Sequence, residues 1–207
     1  MTVTVKICGI TSAKDAELAV SAGADFVGCV LYERSPRHVT LEQAAAVVAA
    51  LPAHVPAVAV VVNRPLRYCR ELLDGYGFSI VQLHGDENSM FAEALGVTRT
   101  WRALGLTDEA DVTAAAAYPA AAVVADASVP GRRGGTGVVG NWKLAAGLAS
   151  RCRLFLAGGL TVHNVSAAIE QVKPYGVDVS SGVEAAPGRK DPVLIREFIT
   201  QVRQAQT

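Results

Sequence analysis

Lys6 and Cys8 lie two residues apart near the start of the chain, and Gly9 follows. In a strand, residues two apart share one face, so Val5 and Ile7 point the other way. A lysine does not pack against apolar helices, which turns Lys6 and Cys8 toward the interior of whatever sheet carries them. A thiol near a cation can act as a reactive thiolate or as a general base. The plainer reading of Cys8 is a small buried hydrophobe, as most free cysteines are. Asp126 stands abruptly after the apolar run Val123-Val124-Ala125. A carboxylate so placed either caps the following loop or projects into a site.

Two glycine-bearing segments have the composition of an anion cradle: Ala157-Gly158-Gly159-Leu160 and Ser181-Gly182-Val183. Glycines let backbone N–H groups approach a phosphate closely, and a nearby helix N-terminus adds a favourable dipole. Alone, either segment reads more readily as a tight turn. Gln82 and His84 alternate onto one face of a further apolar run and are candidates to line a cavity. Behind Asp126 comes Val129-Pro-Gly-Arg-Arg-Gly-Gly-Thr-Gly137, long enough to serve as a lid or as a simple connector.

These residues need elements to position them. Strand patterns run near Val3–Cys8, Phe26–Leu31, Ala57–Val62, Ile80–Leu83, Thr100–Ala103, Ala121–Ala125, Leu154–Ala157 and Gly176–Ser180. Helical patterns alternate with them near Ser12–Ala22, Leu41–Leu51, Pro65–Asp74, Asn88–Leu95, Glu109–Tyr118, Asn141–Ala149, Val162–Val172 and Pro192–Gln204. Ser12, Thr40, Asp108 and Asp191 suit helix N-caps, with Asp15 placed as in a capping box. Gly23 suits a helix end, and Pro65 and Pro192 suit a first turn.

Strict βα alternation demands a parallel sheet with right-handed crossovers. An open doubly wound sheet and a closed barrel both satisfy it. Eight units of about 25 residues favour a single-domain (β/α)8 TIM barrel over residues 1–207, and the short loops leave no room for a linker. Barrel sites are built on the loops after the strands, and loops seven and eight commonly hold phosphate. Both glycine segments fall there, which turns the balance toward a phosphate grip. Closure also makes the eighth strand a neighbour of the first, so Asp178 and Lys6 are expected to form a buried ion pair, joined by Arg102.

Composition narrows the partners. The 207 residues are 51% hydrophobic and carry 19 basic and 19 acidic side chains, so net charge is zero. Phosphate-backbone binding needs an excess of Lys and Arg, which argues against nucleic acid. No apolar run approaches the roughly 20 residues of a membrane span. Cys8, Cys29, Cys69 and Cys152 are scattered, with no CxxC pair and no signal-peptide pattern before them. The expectation is a cytoplasmic protein with free thiols that binds a small molecule.

Lys6-Ile-Cys-Gly-Ile-Thr11, Val81-Gln-Leu-His-Gly85, Pro130-Gly-Arg-Arg-Gly-Gly-Thr-Gly137, Leu156-Ala-Gly-Gly-Leu160 and Val177-Asp-Val-Ser-Ser-Gly-Val-Glu184 occur in that order along the chain. With Pro187-Gly-Arg-Lys-Asp191 they resemble the phosphoribosylanthranilate isomerases of tryptophan biosynthesis, from the first strand to the last helix. The resemblance implies an Amadori rearrangement of a phosphosugar amine, with Cys8 as general base and Asp126 as general acid. It implies that Arg37 holds the anthranilate carboxylate, with Arg34 a nearby competitor. Gln82, His84, Gly158, Gly159, Ser181 and Gly182 would then bind substrate. The rearrangement involves no redox change or group transfer, so neither cofactor nor metal is expected. The working unit would be a monomer or a homodimer.

The family pattern has an acidic residue before the tryptophan after the glycine-rich loop, where this chain has Asn141-Trp142. Asparagine still caps a helix well. Two alternatives stand beside the resemblance. The related isomerase of histidine biosynthesis resembles two half-barrels and has an aspartate where this chain has Cys8. A non-catalytic phosphosugar-binding barrel would be expected to lack one of the reacting groups.

Overall fold

A computed structural model describes residues 2–126 and 141–205, with the Asp126 side chain outside that description. Strands β1 (Thr4–Cys8), β2 (Phe26–Val30), β3 (Ala57–Val61), β4 (Ile80–Leu83), β5 (Thr100–Gly105), β6 (Ala122–Asp126), β7 (Leu154–Leu156) and β8 (Gly176–Val179) form a closed barrel. Every neighbouring pair is parallel, and β8 returns to β1 with Lys6 opposite Asp178. Helices α1 (Ala13–Ser21), α2 (Leu41–Ala49), α3 (Leu66–Asp74), α4 (Ser89–Leu95), α5 (Glu109–Ala117), α6 (Trp142–Ala149), α7 (Val165–Val172) and α8 (Pro192–Gln204) alternate with them. This is the expected (β/α)8 barrel. No helix among the described residues is long and apolar enough to cross a membrane.

Strand alternation separates two apolar layers. Val5, Ile7, Val27 and Cys29 point outward into the shell beneath the helices. Val58, Trp101, Ala103, Val124 and Phe155 fill the interior. At the N-terminal end of the barrel the rings of Phe26, Trp101 and Phe155 stack, with Trp101 and Phe155 centroids 4.2 Å apart. That plug closes the end opposite the candidate site, so ligands enter from the loops after the strands.

The same phase corrects the place of Arg102. Trp101 and Ala103 face inward, so Arg102 projects outside the barrel wall and does not join Lys6 and Asp178. Its Nη1 donates to Glu87 at 3.1 Å, and its guanidinium lies over the Tyr118 ring. Glu87 also accepts from the N–H groups of Asn63 and Gly85. The cluster therefore ties the loops after β3 and β4 to β5.

Helix starts follow the expected caps at Thr40, Asp108 and Asp191, and Pro192 opens α8. Pro65, however, stands just before the first turn of α3, and the Ser12 cap differs in detail. Ser12 accepts from the Asp15 N–H, but Asp15 completes no capping box; its carboxylate accepts the Lys190 N–H instead. Aspartate is one methylene shorter than the Glu or Gln that usually closes the box. The full box is at α2, where Thr40 Oγ1 accepts from the Gln43 N–H and Gln43 Oε1 accepts from the Thr40 N–H. Thr40→Ala breaks half of it and is expected to cost about 1 kcal/mol, a melting-point drop of roughly 2–4 °C in thermal denaturation. Asn141 caps α6 by accepting from Leu144, so the departure from the family pattern preserves the helix start.

Two short strands were not anticipated. After β8 the chain forms a hairpin of β9 (Glu184–Ala186) and β10 (Arg189–Lys190) around Pro187-Gly188. Proline presets the first turn position, and Gly188 takes the left-handed second one at φ 77°. Thr11 Oγ1 donates to the Gly188 carbonyl, which pins the hairpin beside the start of α1.

Candidate active site

Lys6 is fully buried, and its Nζ lies 2.8 Å from Asp178 Oδ2. The expected ion pair is present, directly across the β1–β8 seam. Asp178 Oδ1 has no hydrogen-bond partner among the described residues. Burial is the largest influence on Lys6 and opposes its charge, yet Asp178 and Cys8 together raise its pKa above the ordinary value. Lys6 thus keeps its proton despite burial, because Asp178 at 2.8 Å stands in for the solvent it has lost.

Cys8 ends β1 on the same interior face, 8% exposed. A Cβ on Gly28 would lie 2.9 Å from Cys8 Sγ and 3.0 Å from Lys6 Cε, so a glycine in mid-strand makes room for both. A glycine inside a strand often marks such a close approach. Burial pushes the Cys8 thiol above its usual range, Lys6 pulls it down, and Asp178 pushes it up again. In the free protein Cys8 is therefore a thiol. Lys6 alone does not make a thiolate, because burial outweighs its pull and Asp178 opposes it further. Cys29 and Cys69 are pushed up to about 12 by burial, and both sit in the outer shell.

Cys8, Arg37, Gln82, His84, Gly158, Gly159 and Ser181 line one cavity of about 170 Å³ at the C-terminal ends of the strands. Gly182 stands behind its wall: a Cβ there would run into the Leu160 carbonyl, so the glycine lets the loops after β7 and β8 pack together. Gly158 and Gly159 take left-handed φ values of 81° and 66°, and their N–H groups donate to no other described residue. Asn164 fixes that loop by donating to the Gly159 carbonyl and accepting from the Thr161 N–H. Gln82 Oε1 and Ser180 Oγ are buried without a hydrogen-bond partner among the described residues.

Asp126 ends β6 opposite Gly105 of β5, two residues beyond Val124, which lines the cavity. Its side chain and the segment 127–140, including the Pro130–Gly137 motif, lie outside the described residues. Arg34 is exposed at the cavity rim, whereas the Arg37 side chain is 11% exposed.

Arg37 is held by a residue that the sequence reading did not single out. Glu184 receives Nε and Nη2 of Arg37 at 2.8 Å each. Lys190 Nζ reaches the same carboxylate at 2.9 Å and the Ser180 carbonyl at 3.0 Å. Burial opposes ionisation of Glu184, but Arg37 and Lys190 outweigh it and hold its pKa below the ordinary value. Gly9 admits this arrangement: a Cβ there would lie 2.6 Å from Arg37 Cδ and 2.8 Å from Ser180 Oγ. Among the described residues, no group of three or more His, Cys, Asp or Glu side chains is placed to hold a metal.

The arrangement is a cavity with a buried thiol over an ion pair, a guanidinium on one side and free backbone N–H groups on another. It is suited to proton transfer on an anionic small molecule. Comparison with known proteins places it. Residues 5–201 match the family model described as N-(5'phosphoribosyl)anthranilate (PRA) isomerase. The chain is similar to the N-(5'-phosphoribosyl)anthranilate isomerase of Pelobacter propionicus, 49% identical over 98% of this chain and 97% of that one. It superposes on a phosphoribosyl anthranilate isomerase structure from Thermotoga maritima at TM-score 0.90, 36% identical, covering 98% and 100% of the two chains. A second such structure, in complex with reduced 1-(o-carboxyphenylamino)-1-deoxyribulose 5-phosphate, is 35% identical at TM-score 0.87, with 98% and 100% covered. With nearly the whole length matched in sequence and in fold, the chain belongs to the N-(5'-phosphoribosyl)anthranilate isomerase family.

Proposed function

We propose that this chain converts N-(5'-phosphoribosyl)anthranilate to 1-(2-carboxyphenylamino)-1-deoxyribulose 5-phosphate in the cytoplasm, as one barrel domain working as a monomer or homodimer. The observation that carries the reading is the single cavity that gathers Cys8, Arg37 and the Gly158-Gly159 loop at the strand ends. In this reading Asp126 protonates the furanose ring oxygen, and the ring opens to a Schiff base. Cys8, in its thiolate form, then takes the proton from C2', and the resulting enolamine tautomerises to the ketone. Atoms and electrons balance within the substrate, so the residues only relay protons.

Gly158, Gly159 and Ser181, backed by Gly182, bind the phosphate through backbone N–H groups. Arg37 receives the anthranilate carboxylate, which a planar guanidinium fits better than a lysine would. Gln82 and His84 line the opposite wall and orient the sugar.

The test is a fluorescence assay that follows consumption of phosphoribosylanthranilate by the purified protein; absence of turnover overturns the reading. Given turnover, Arg37→Ala is expected to raise KM by about one to two orders of magnitude with a smaller change in kcat. An unchanged KM removes Arg37 from its role.

A further inference from the structure

The Glu184 side chain is only 4% exposed, is charged and engages two cations, yet the proton transfers assign it no part. Its position explains what it does. Both ends of its carboxylate are occupied by one edge of Arg37, the edge formed by Nε and Nη2. Oε1 is further held by Lys190 Nζ at 2.9 Å. Lys190 is itself 3% exposed and anchored to the Ser180 carbonyl, so the carboxylate cannot swing away from its station.

A guanidinium has five N–H bonds, and a carboxylate is received best along one of its flat edges. With Nε and one Nη2 hydrogen committed to Glu184, the edge that remains for a second carboxylate is the one formed by Nη1 and Nη2. We infer that Glu184 is a positioning residue that turns Arg37 so that only this end-on edge is offered to the carboxylate of the substrate's aromatic ring. The inference rests on the reading of Arg37 as the carboxylate-binding group. It makes carboxylate recognition a property of the loops after β2 and β8 acting together, with Gly9 as the gap through which they meet.

Charge alone would predict the opposite effect of removing Glu184. Arg37, Glu184 and Lys190 together carry one net positive charge when all are ionised. In Glu184→Gln the cluster keeps at least that charge, whether or not Lys190 retains its proton. If attraction to net charge were what matters, an anionic ring would bind as well or better. If orientation matters, it binds worse.

The experiment compares two competitive inhibitors on wild type and E184Q: reduced 1-(2-carboxyphenylamino)-1-deoxyribulose 5-phosphate and its counterpart without the ring carboxylate. Wild type is expected to favour the carboxylated probe. In E184Q that preference falls by about tenfold, through weaker binding of the carboxylated probe alone, and KM rises more than kcat falls. An E184Q preference equal to wild type overturns the inference and leaves the Arg37 reading standing. Equal binding of both probes by wild type overturns the Arg37 reading, and the inference with it. Should E184Q not fold, E184D keeps the charge but is too short for both hydrogen bonds, and the same loss of preference is expected from it.

Discussion

Cys8→Ala is expected to lower kcat by about 10²- to 10⁴-fold, the range that a positioned general base contributes, while changing KM little. The change removes one sulfur from an interior position and leaves Arg37 and the glycine loops untouched, so substrate still binds. Because burial outweighs Lys6 at the Cys8 thiol, the free protein holds little thiolate at neutral pH. The value of kcat/KM is therefore expected to rise with pH, by about tenfold per unit while the thiol remains mostly protonated. The sign follows from which form works: the base must be deprotonated, and raising its pKa moves the working form to higher pH. Steady-state kinetics of the wild type and of Cys8→Ala from pH 6 upward check both statements. A kcat for Cys8→Ala within a few-fold of wild type ends the assignment of Cys8 as the base.

The features most legible in the sequence are those that depend on strand alternation within one or two neighbouring elements. Lys6 and Cys8 share a face whatever the fold, and closure of the barrel puts Asp178 beside them. Arg102 failed because its face depends on the phase of β5, and that strand's interior positions are taken by Trp101 and Ala103. A bulky tryptophan inside the barrel is hard to foresee, since its neighbours Phe26 and Phe155 come from distant strands. Glu184 and Lys190 were missed for a different reason. Their pattern, two charges flanking Pro187-Gly188, reads as a solvated turn until the hairpin is packed against Arg37 and the start of α1. Nothing local distinguishes a charge that will be buried from one that stays in water. The glycines behaved similarly. Gly158 and Gly159 stand where a phosphate loop was expected, but the work of Gly28 and Gly9 is to leave space for Cys8 and Arg37, a purely tertiary reason.

Lys6→Met is expected to destabilise the fold by about 3–5 kcal/mol, because it leaves Asp178 buried and without its counter-charge. For a chain of this length that is a fall in melting temperature of roughly 10 °C. The pair itself need not be stabilising relative to an apolar core, since desolvating two ions offsets much of their attraction. Lys6→Met combined with Asp178→Leu is accordingly expected to recover most of the loss, whereas two independent cavities would add. The thiol provides a second readout. Lys6 is the main influence holding the Cys8 pKa down against burial and Asp178. Without it the thiol should titrate at higher pH than in wild type, as followed by pH-dependent alkylation of Cys8. If Lys6→Met changes neither the melting temperature nor the titration, the ion pair has no hold on the thiol. The barrel would then set the protonation state of Cys8 by burial alone.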